Sequence, residues 1–299
     1  MLEPIVVQVK TTDGLTLPGI LYKAKRSKKV AIHLHGNGSS SVFYYDDRQD
    51  ELVKALARRG ISLLLFNNRG AHYVKHLNVV KKGRSTRKRF GMAYEKIKDC
   101  IPDIDGAISF LRKHGFRTFY LIGESTGANK ICVYHYYKPR NKVSKYVLLA
   151  GGDDTGIYYD MLGNAMFRKL LRAAKQKIKQ RKGGEIIKEL LPDVIFSYQG
   201  FYDIANPDGD YNVFPFLEVI KKLKLSKKPL FRHYRSLTKP TLVLYGGKDE
   251  HAWGSVSRVM RLLKERKPNF EYGIIPGADH SFTEHQTELA KRIAQWLPS

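Results

Sequence analysis

Phe119-Tyr120-Leu121-Ile122-Gly123-Glu124-Ser125-Thr126-Gly127-Ala128-Asn129 is the stretch from which the rest of the chain can be read. A short β-favouring run reaches a serine with a glycine two residues before it and another two residues after, and a helix-forming segment follows. Strand, turn and helix in that order are the context that a G-x-S-x-G turn demands. The serine of such a turn is held in a strained conformation, and side chains at either glycine would collide with the neighbouring strand and helix. A helix starting at Thr126 aims N–H groups and its positive dipole end at the serine, where charge developing on an oxygen would be stabilised. Five-residue patterns with three fixed positions also arise by chance, so the weight falls on what lies downstream.

At 299 residues the chain can bury one large α/β core with an insertion, or two modest domains. With 42% hydrophobic and 27% charged residues it reads as a soluble globular protein, not a disordered one. No apolar run approaches the ~18–20 residues that would span a bilayer. Met1-Leu2-Glu3-Pro4 lacks a basic region followed by an apolar one, so no secretory signal is expected. Cys100 and Cys132 have neither metal nor redox spacing and read as small core residues in a reducing compartment, the cytoplasm by default. The net charge of +25 is local: residues 72–98 hold nine Lys/Arg against one Glu, and residues 161–182 hold eight Lys/Arg and no acid. Such stretches read first as solvated faces. The alternative is that they steer acidic substrates or touch anionic surfaces; no motif for specific nucleic-acid binding accompanies them.

Taken in order, Ile5–Val9 and Leu15–Tyr22 flank Thr12-Asp13-Gly14 as a hairpin. Val30–Leu34 is a short buried strand ending in His35-Gly36-Asn37-Gly38. Asp46 and Asp47 cap a helix carrying Leu52, Val53, Leu56 and Ala57, and Ile61–Phe66 is the next strand, paired in parallel through a right-handed crossover. The basic segment to about Lys98 reads as a long, partly irregular loop. A helix around Ile104–Leu111 leads to the strand before Ser125, and its helix runs to about Tyr137; Lys145–Ala150 is another strand. From Gly152 to Lys239 no core strand is evident. Helices are expected over 161–182, with 162, 166, 170, 171, 174 and 178 apolar, over 185–191 and over 216–224. The β/α rhythm then resumes with strand 240–245, helix 256–266, strand 270–275 and helix 283–296.

Strand 241–245 ends in Gly246-Gly247-Lys248-Asp249-Glu250, and strand 270–275 ends in Pro276-Gly277-Ala278-Asp279-His280. The carboxyl ends of parallel strands share one sheet edge, so Ser125, Asp249 and His280 converge there. A serine hydroxyl is a weak nucleophile until an imidazole takes its proton, and the imidazole needs a carboxylate to fix its tautomer.

The His35-Gly36 turn, the Gly123–Gly127 turn, the Gly-Lys-Asp turn at 247–249 and the Gly-Ala-Asp-His turn at 277–280 together resemble the α/β-hydrolase superfamily of serine hydrolases, over essentially the whole chain. The resemblance implies an α/β fold with a mostly parallel sheet and helices on both faces. Its core would comprise residues 1–151 and 240–299, and 152–239 would be a helical lid. It implies an ester hydrolase acting through an acyl-enzyme. Ser125 would attack, His280 would serve as base, Asp249 would orient the imidazole, and Asn37 and Thr126 would lend backbone N–H groups to an oxyanion hole. It implies no metal and no cofactor. The Ser-Thr-Gly turn also resembles the siderophore-ester hydrolase branch, in which a His commonly stands where this chain has Glu124.

Asp249 competes with Glu250 and Asp279, and the order of the acid after the preceding strand favours Asp249. His251 and His285 read as surface or pocket residues, and His35 as part of its loop. Trp253, Tyr44, Tyr45 and the aromatics from Tyr198 to Phe216 are candidates for an acyl pocket or for ordinary packing. The same machinery serves thioesterases, amidases, carbon–carbon hydrolases and acyltransferases. From a different class, a basic membrane- or polyanion-binding protein on a hydrolase scaffold would explain the charge. A small-molecule ester is the expected partner, with the oligomeric state left open.

Overall fold

Every residue of Ile61–Phe66 and of Thr241–Gly246 is buried, as strands covered on both faces require. They belong to a single eight-stranded sheet in the computed structural model, which describes residues 3–38, 40–44 and 47–298. Tyr45, a candidate for an acyl pocket or for ordinary packing, and Asp46, a candidate helix cap, lie outside the described residues. In chain order the elements are β1 (Pro4–Lys10), β2 (Thr16–Tyr22), β3 (Lys29–Leu34), α1 (Asp47–Arg58), β4 (Ile61–Phe66), β5 (Lys75–Lys81), β6 (Arg84–Phe90), α2 (Cys100–Lys113), β7 (Thr118–Glu124) and α3 (Thr126–Tyr137). There follow β8 (Val143–Leu149), α4 (Asp154–Lys179), α5 (Tyr198–Ala205), α6 (Phe216–Ile220), α7 (Arg232–Ser236), β9 (Thr241–Gly246), α8 (Val256–Arg266), β10 (Glu271–Ile275) and α9 (Gln286–Trp296).

The sheet order is β1-β2-β4-β3-β7-β8-β9-β10, and β2 alone runs against its neighbours. Residues of opposite parity face opposite ways on each strand. His33, Leu65 and Leu149 meet Leu52 of α1 and Leu289 and Ile293 of α9 around a small cavity on one face. Helix α3 packs on β3, β7 and β8 from the other, with α2 and α7 against it.

Residues 72–98 are not an irregular loop. Strands β5 and β6 form a two-stranded antiparallel hairpin, closed by Lys82 and Gly83, both at positive φ (47° and 76°). Two such residues make the turn that suits a tight hairpin. Strand β6 is almost wholly exposed, so no apolar alternation marks it in the sequence. Leu77, Val79 and Phe90 anchor the hairpin against the core, and the Val80 N–H donates to the Gly14 carbonyl at 2.8 Å.

The segment between β8 and β9 also differs from its reading. Helix α4 begins at Asp154, seven residues early, because Asp153 accepts from the Gly156 N–H at 2.8 Å and caps it. Gly163, at φ 69° and ψ 161°, interrupts it. The part beyond buries Phe167, Leu170 and Ala174, while Met166 is exposed instead of inward-facing. Arg168, Lys169, Arg172, Lys175 and Lys179 face water. Residues 185–191 hold only a short 3-10 turn at Lys188–Leu190, between Gly183-Gly184 and Pro192, and 216–224 is helical only to Ile220, with Lys222 left-handed. Helix α5, not expected in that aromatic stretch, is capped by Ser197, which accepts from Gly200 at 3.0 Å. The closing helix starts at Gln286 instead of 283. Among the described residues no helix is long and apolar enough to cross a membrane.

One buried ion pair ties these parts together. Lys130 on α3 lies 2.8 Å from Glu95, with side chains 1% and 2% exposed. Its ammonium also donates to Asn68 Oδ1, and Tyr211 donates to Glu95. Removing one partner of such a pair leaves a bare charge in a dry site, a cost of roughly 3–5 kcal/mol. Lys130→Met should therefore lower unfolding free energy by about that amount in urea titration. Combining it with Glu95→Gln should recover a substantial part of the loss.

Candidate active site

Strand β7 delivers the chain to Ser125 at φ 52° and ψ −124°, a conformation that costs free energy for any residue with a side chain. The close packing around it explains both glycines. A Cβ on Gly127 would stand 2.0 Å from the Leu34 carbonyl oxygen, and one on Gly123 would stand 2.3 Å from the Gly127 carbonyl oxygen. The Ser125 N–H donates to Leu149 at 2.8 Å, so β8 pins the turn from the other side.

Ser125, His280 and Asp249, which come from three separate strand ends, meet side chain to side chain. Ser125 Oγ lies 3.0 Å from His280 Nε2, and His280 Nδ1 lies 3.0 and 3.1 Å from the two Asp249 carboxylate oxygens. Burial alone would lower the imidazole's pKa. The Asp249 hydrogen bond and charge, with the charges of Glu124 and Glu250, outweigh it and raise the pKa above its ordinary value. Asp249 is itself buried and also accepts from the His251 N–H at 2.9 Å.

The two competing acids do other things. Asp279 accepts from the Thr283 N–H at 2.8 Å. Glu250 accepts from the backbone N–H of His280 at 3.0 Å, so it ties the acid-bearing loop to the histidine-bearing loop. Among the remaining histidines, His251 packs edge-on against His280 with centroids 4.6 Å apart, and His285 bonds the Thr283 carbonyl. His35 is buried and donates to the Gly36 carbonyl at 2.7 Å; burial, with the Lys130 charge, holds it neutral.

On the other side of Ser125, Gly36 comes so close that a Cβ there would lie 3.2 Å from the Ser125 Cβ. Asn37 follows, its carbonyl accepting from Ser40 at 2.9 Å. Thr126 is fully buried at the first turn of α3, where backbone N–H groups have no acceptor within the helix. The Thr126 hydroxyl lies 3.1–3.2 Å from both oxygens of Asp154, which also accepts from Asn129 Nδ2 at 3.0 Å. Burial pushes the Asp154 carboxyl up to about 7, against the Thr126 hydrogen bond and the charges of His280 and Lys130.

Sequence reasoning missed Asp154 and the tethering role of Glu250. Gly-Gly-Asp-Asp after a strand is a helix-cap signal that marks Asp153, but nothing in the sequence places Asp154 against Thr126. The aromatics Phe201, Tyr211, Phe214 and Phe216 are buried packing. Tyr44 is exposed and pairs with His72, and among the described candidates Trp253 lines a pocket beside the site. Among the described residues no group of three or more His, Cys, Asp or Glu is placed to hold a metal ion.

Known structures share this architecture. Est1E from Butyrivibrio proteoclasticus superposes with a TM-score of 0.57 at 13% identity, covering 98% of this chain and 97% of that one. The Pyrococcus furiosus esterase Pf2001 gives 0.56 at 18% identity (99% and 91% covered), and the carboxylesterase CesB (YbfK) from Bacillus subtilis gives 0.53 at 16% (98% and 90%). At such identities the likeness defines the fold, that of the α/β-hydrolases. No curated protein sequence matches. Residues 85–298 match the family described as "Protein of unknown function (DUF1749)", and the chain belongs to that family.

The Glu250 bond makes a test of positioning. Glu250→Ala should slow any reaction that uses His280 as its base about fivefold, the worth of one ordinary hydrogen bond, with little change in KM. Glu250→Gln keeps an acceptor for the His280 N–H and should restore most of the rate. Both variants remove a charge that raises the His280 pKa, so the acidic limb of the pH–rate profile should move down in both.

Proposed function

We propose that this protein is a serine hydrolase that cleaves a carboxylic ester through an acyl-enzyme. The observation that carries the reading is the unbroken hydrogen-bond chain from Asp249 through His280 to Ser125 Oγ, ending on a strained serine at a helix N-terminus. Ser125 Oγ attacks the carbonyl carbon while His280 Nε2 takes the hydroxyl proton. The tetrahedral oxyanion is held by the backbone N–H groups of Asn37 and Thr126, in a site where fixed dipoles need no reorganisation. His280 then gives the proton to the leaving oxygen and the C–O bond breaks. Water attacks the acyl-enzyme with His280 again as base, releasing the acid and free Ser125. Asp249 keeps Nδ1 protonated throughout, so that Nε2 faces the serine.

Residues 152–239 act in this reading as a cap. Its support is that α4 starts against Thr126 and that Ile157, Asp160 and Met161, one face of its first turns, line a pocket shared with Glu250 and His251. Two structural neighbours, Pf2001 and CesB, are an esterase and a carboxylesterase, which favours an ester over the thioester, amide and carbon–carbon alternatives.

Ser125→Ala should abolish labelling by a fluorophosphonate and lower hydrolysis of p-nitrophenyl butyrate by several decades with the fold intact; labelling that persists would place the nucleophile elsewhere. Asp249→Asn should slow turnover by about 10⁴-fold, the effect of a wrong imidazole tautomer. Catalysis needs neutral His280, whose pKa is raised. Activity should therefore rise with pH along an acidic limb centred above the ordinary imidazole value of about 6.5.

A further inference from the structure

We infer that the pocket beside His280 recognises a cationic group, an ammonium carried on the leaving-group side of the substrate. The inference deepens the ester-hydrolase reading and rests on it. The pocket has a volume of about 260 Å³ and is lined by Ile157, Asp160, Met161, Glu250, His251 and Trp253. Two of the six are acids, one is the best side chain for receiving a cation on its face, and none is Lys or Arg. That composition stands out in a chain of net charge +25.

The pocket adjoins the reacting groups. Glu250 accepts from the His280 N–H, and the His251 ring packs against the His280 ring. His280 hands its proton to the leaving oxygen, so the leaving group sits on this side of the site.

A second, independent observation indicates what the pocket holds. The Lys221 ammonium, just past the end of α6, lies 2.8 Å from Asp160 Oδ1 and 5.8 Å from the Trp253 ring centroid. An alkylammonium from the chain itself thus already bridges the acid and the aromatic face, in the geometry a substrate cation would adopt. Lys221 and Asp160 are each 52% exposed. An exposed pair of this kind is worth little, so the lysine can swing into water and yield its place. Trp253 has a positive φ of 52°, and its buried Nε1 has no hydrogen-bond partner among the described residues. The long-range positive field would discourage a cation, but exposed charges are screened beyond about 10 Å at 0.1 M salt. Groups in direct contact decide the selectivity.

The test separates binding from catalysis. Choline and its neutral isostere 3,3-dimethylbutanol are titrated against the wild type by Trp fluorescence, with Trp253→Phe as the control for the reporting ring. Choline should bind about tenfold more tightly, the scale of a partly desolvated cation–π contact with an adjacent acid. Lys221→Met, which removes the built-in competitor, should tighten choline severalfold, Asp160→Asn should weaken it, and neither should move the isostere. Hydrolysis of butyrylcholine should exceed that of 3,3-dimethylbutyl butyrate by a similar factor in kcat/KM, with the same ranking of variants. Equal binding of the two alcohols, or a Lys221→Met variant no better for choline, overturns the inference whatever the activity. Selective choline binding by a protein that hydrolyses neither ester and takes no fluorophosphonate at Ser125 leaves the cation pocket standing and overturns the hydrolase reading instead.

Discussion

Helix α3 can start over the carboxyl end of β7 only because nothing heavier than hydrogen stands at 123 and 127. With the Gly127 Cα so near the Leu34 carbonyl, any side chain would push the helix off β3, and one at 123 would meet the helix backbone itself. The rest of the site depends on that approach. It forces the chain into the positive-φ turn at Ser125, and it leaves Gly36 packed so close that a Cβ there would lie 3.2 Å from the Ser125 Cβ. Strain at 125 persists because β3, β7 and β8 all hold the turn, and a conformation this costly survives only when it is over-determined.

Burial then decides what each polar group near α3 can do. Lys130 and Glu95 pair at 2.8 Å, and they lock α3 to the segment that follows the β5–β6 hairpin. His35, buried close to that lysine, is held neutral and serves the loop instead of reacting. His280 is largely but not fully buried, and its carboxylate neighbours reverse the direction of the shift, which suits it to accept a proton and to give it back. The two histidines thus part company because burial dominates at His35 and carboxylate neighbours dominate at His280.

Much of this was legible in the chain. The hydrophobic runs at 30–34, 61–66, 119–122 and 241–245 are short, continuous and separated by helical periods, and buried parallel strands leave that record. The meeting of Ser125, Asp249 and His280 follows from it, because parallel strands present their carboxyl ends at one edge. What the sequence hid was set by tertiary contact. Strand β6 is Arg-Ser-Thr-Arg-Lys-Arg-Phe, with only its last residue packed inward, so pairing with β5 organises it and period does not. Met166 and Phe167 are equally apolar, and only the break at Gly163 decides which of them turns to the core. Glu250 could not be told from Asp249 by chemistry; a backbone N–H thirty residues away in the chain gives it a different task.

The overall charge is a poor guide to what reaches Ser125. Two of its dense clusters sit on β6 and on the outer face of α4, in water, where each cation contributes little at a distance and salt removes most of that. The first turns of the same helix α4 carry no base. They bear Asp154 against Thr126 and Asp160 in the pocket beside His280, so one helix is acidic where it meets the site and basic where it meets solvent. The break at Gly163 falls between those two stretches. It lets the acidic turns follow the site while the basic ones follow the surface, which a straight helix with one apolar stripe would not allow.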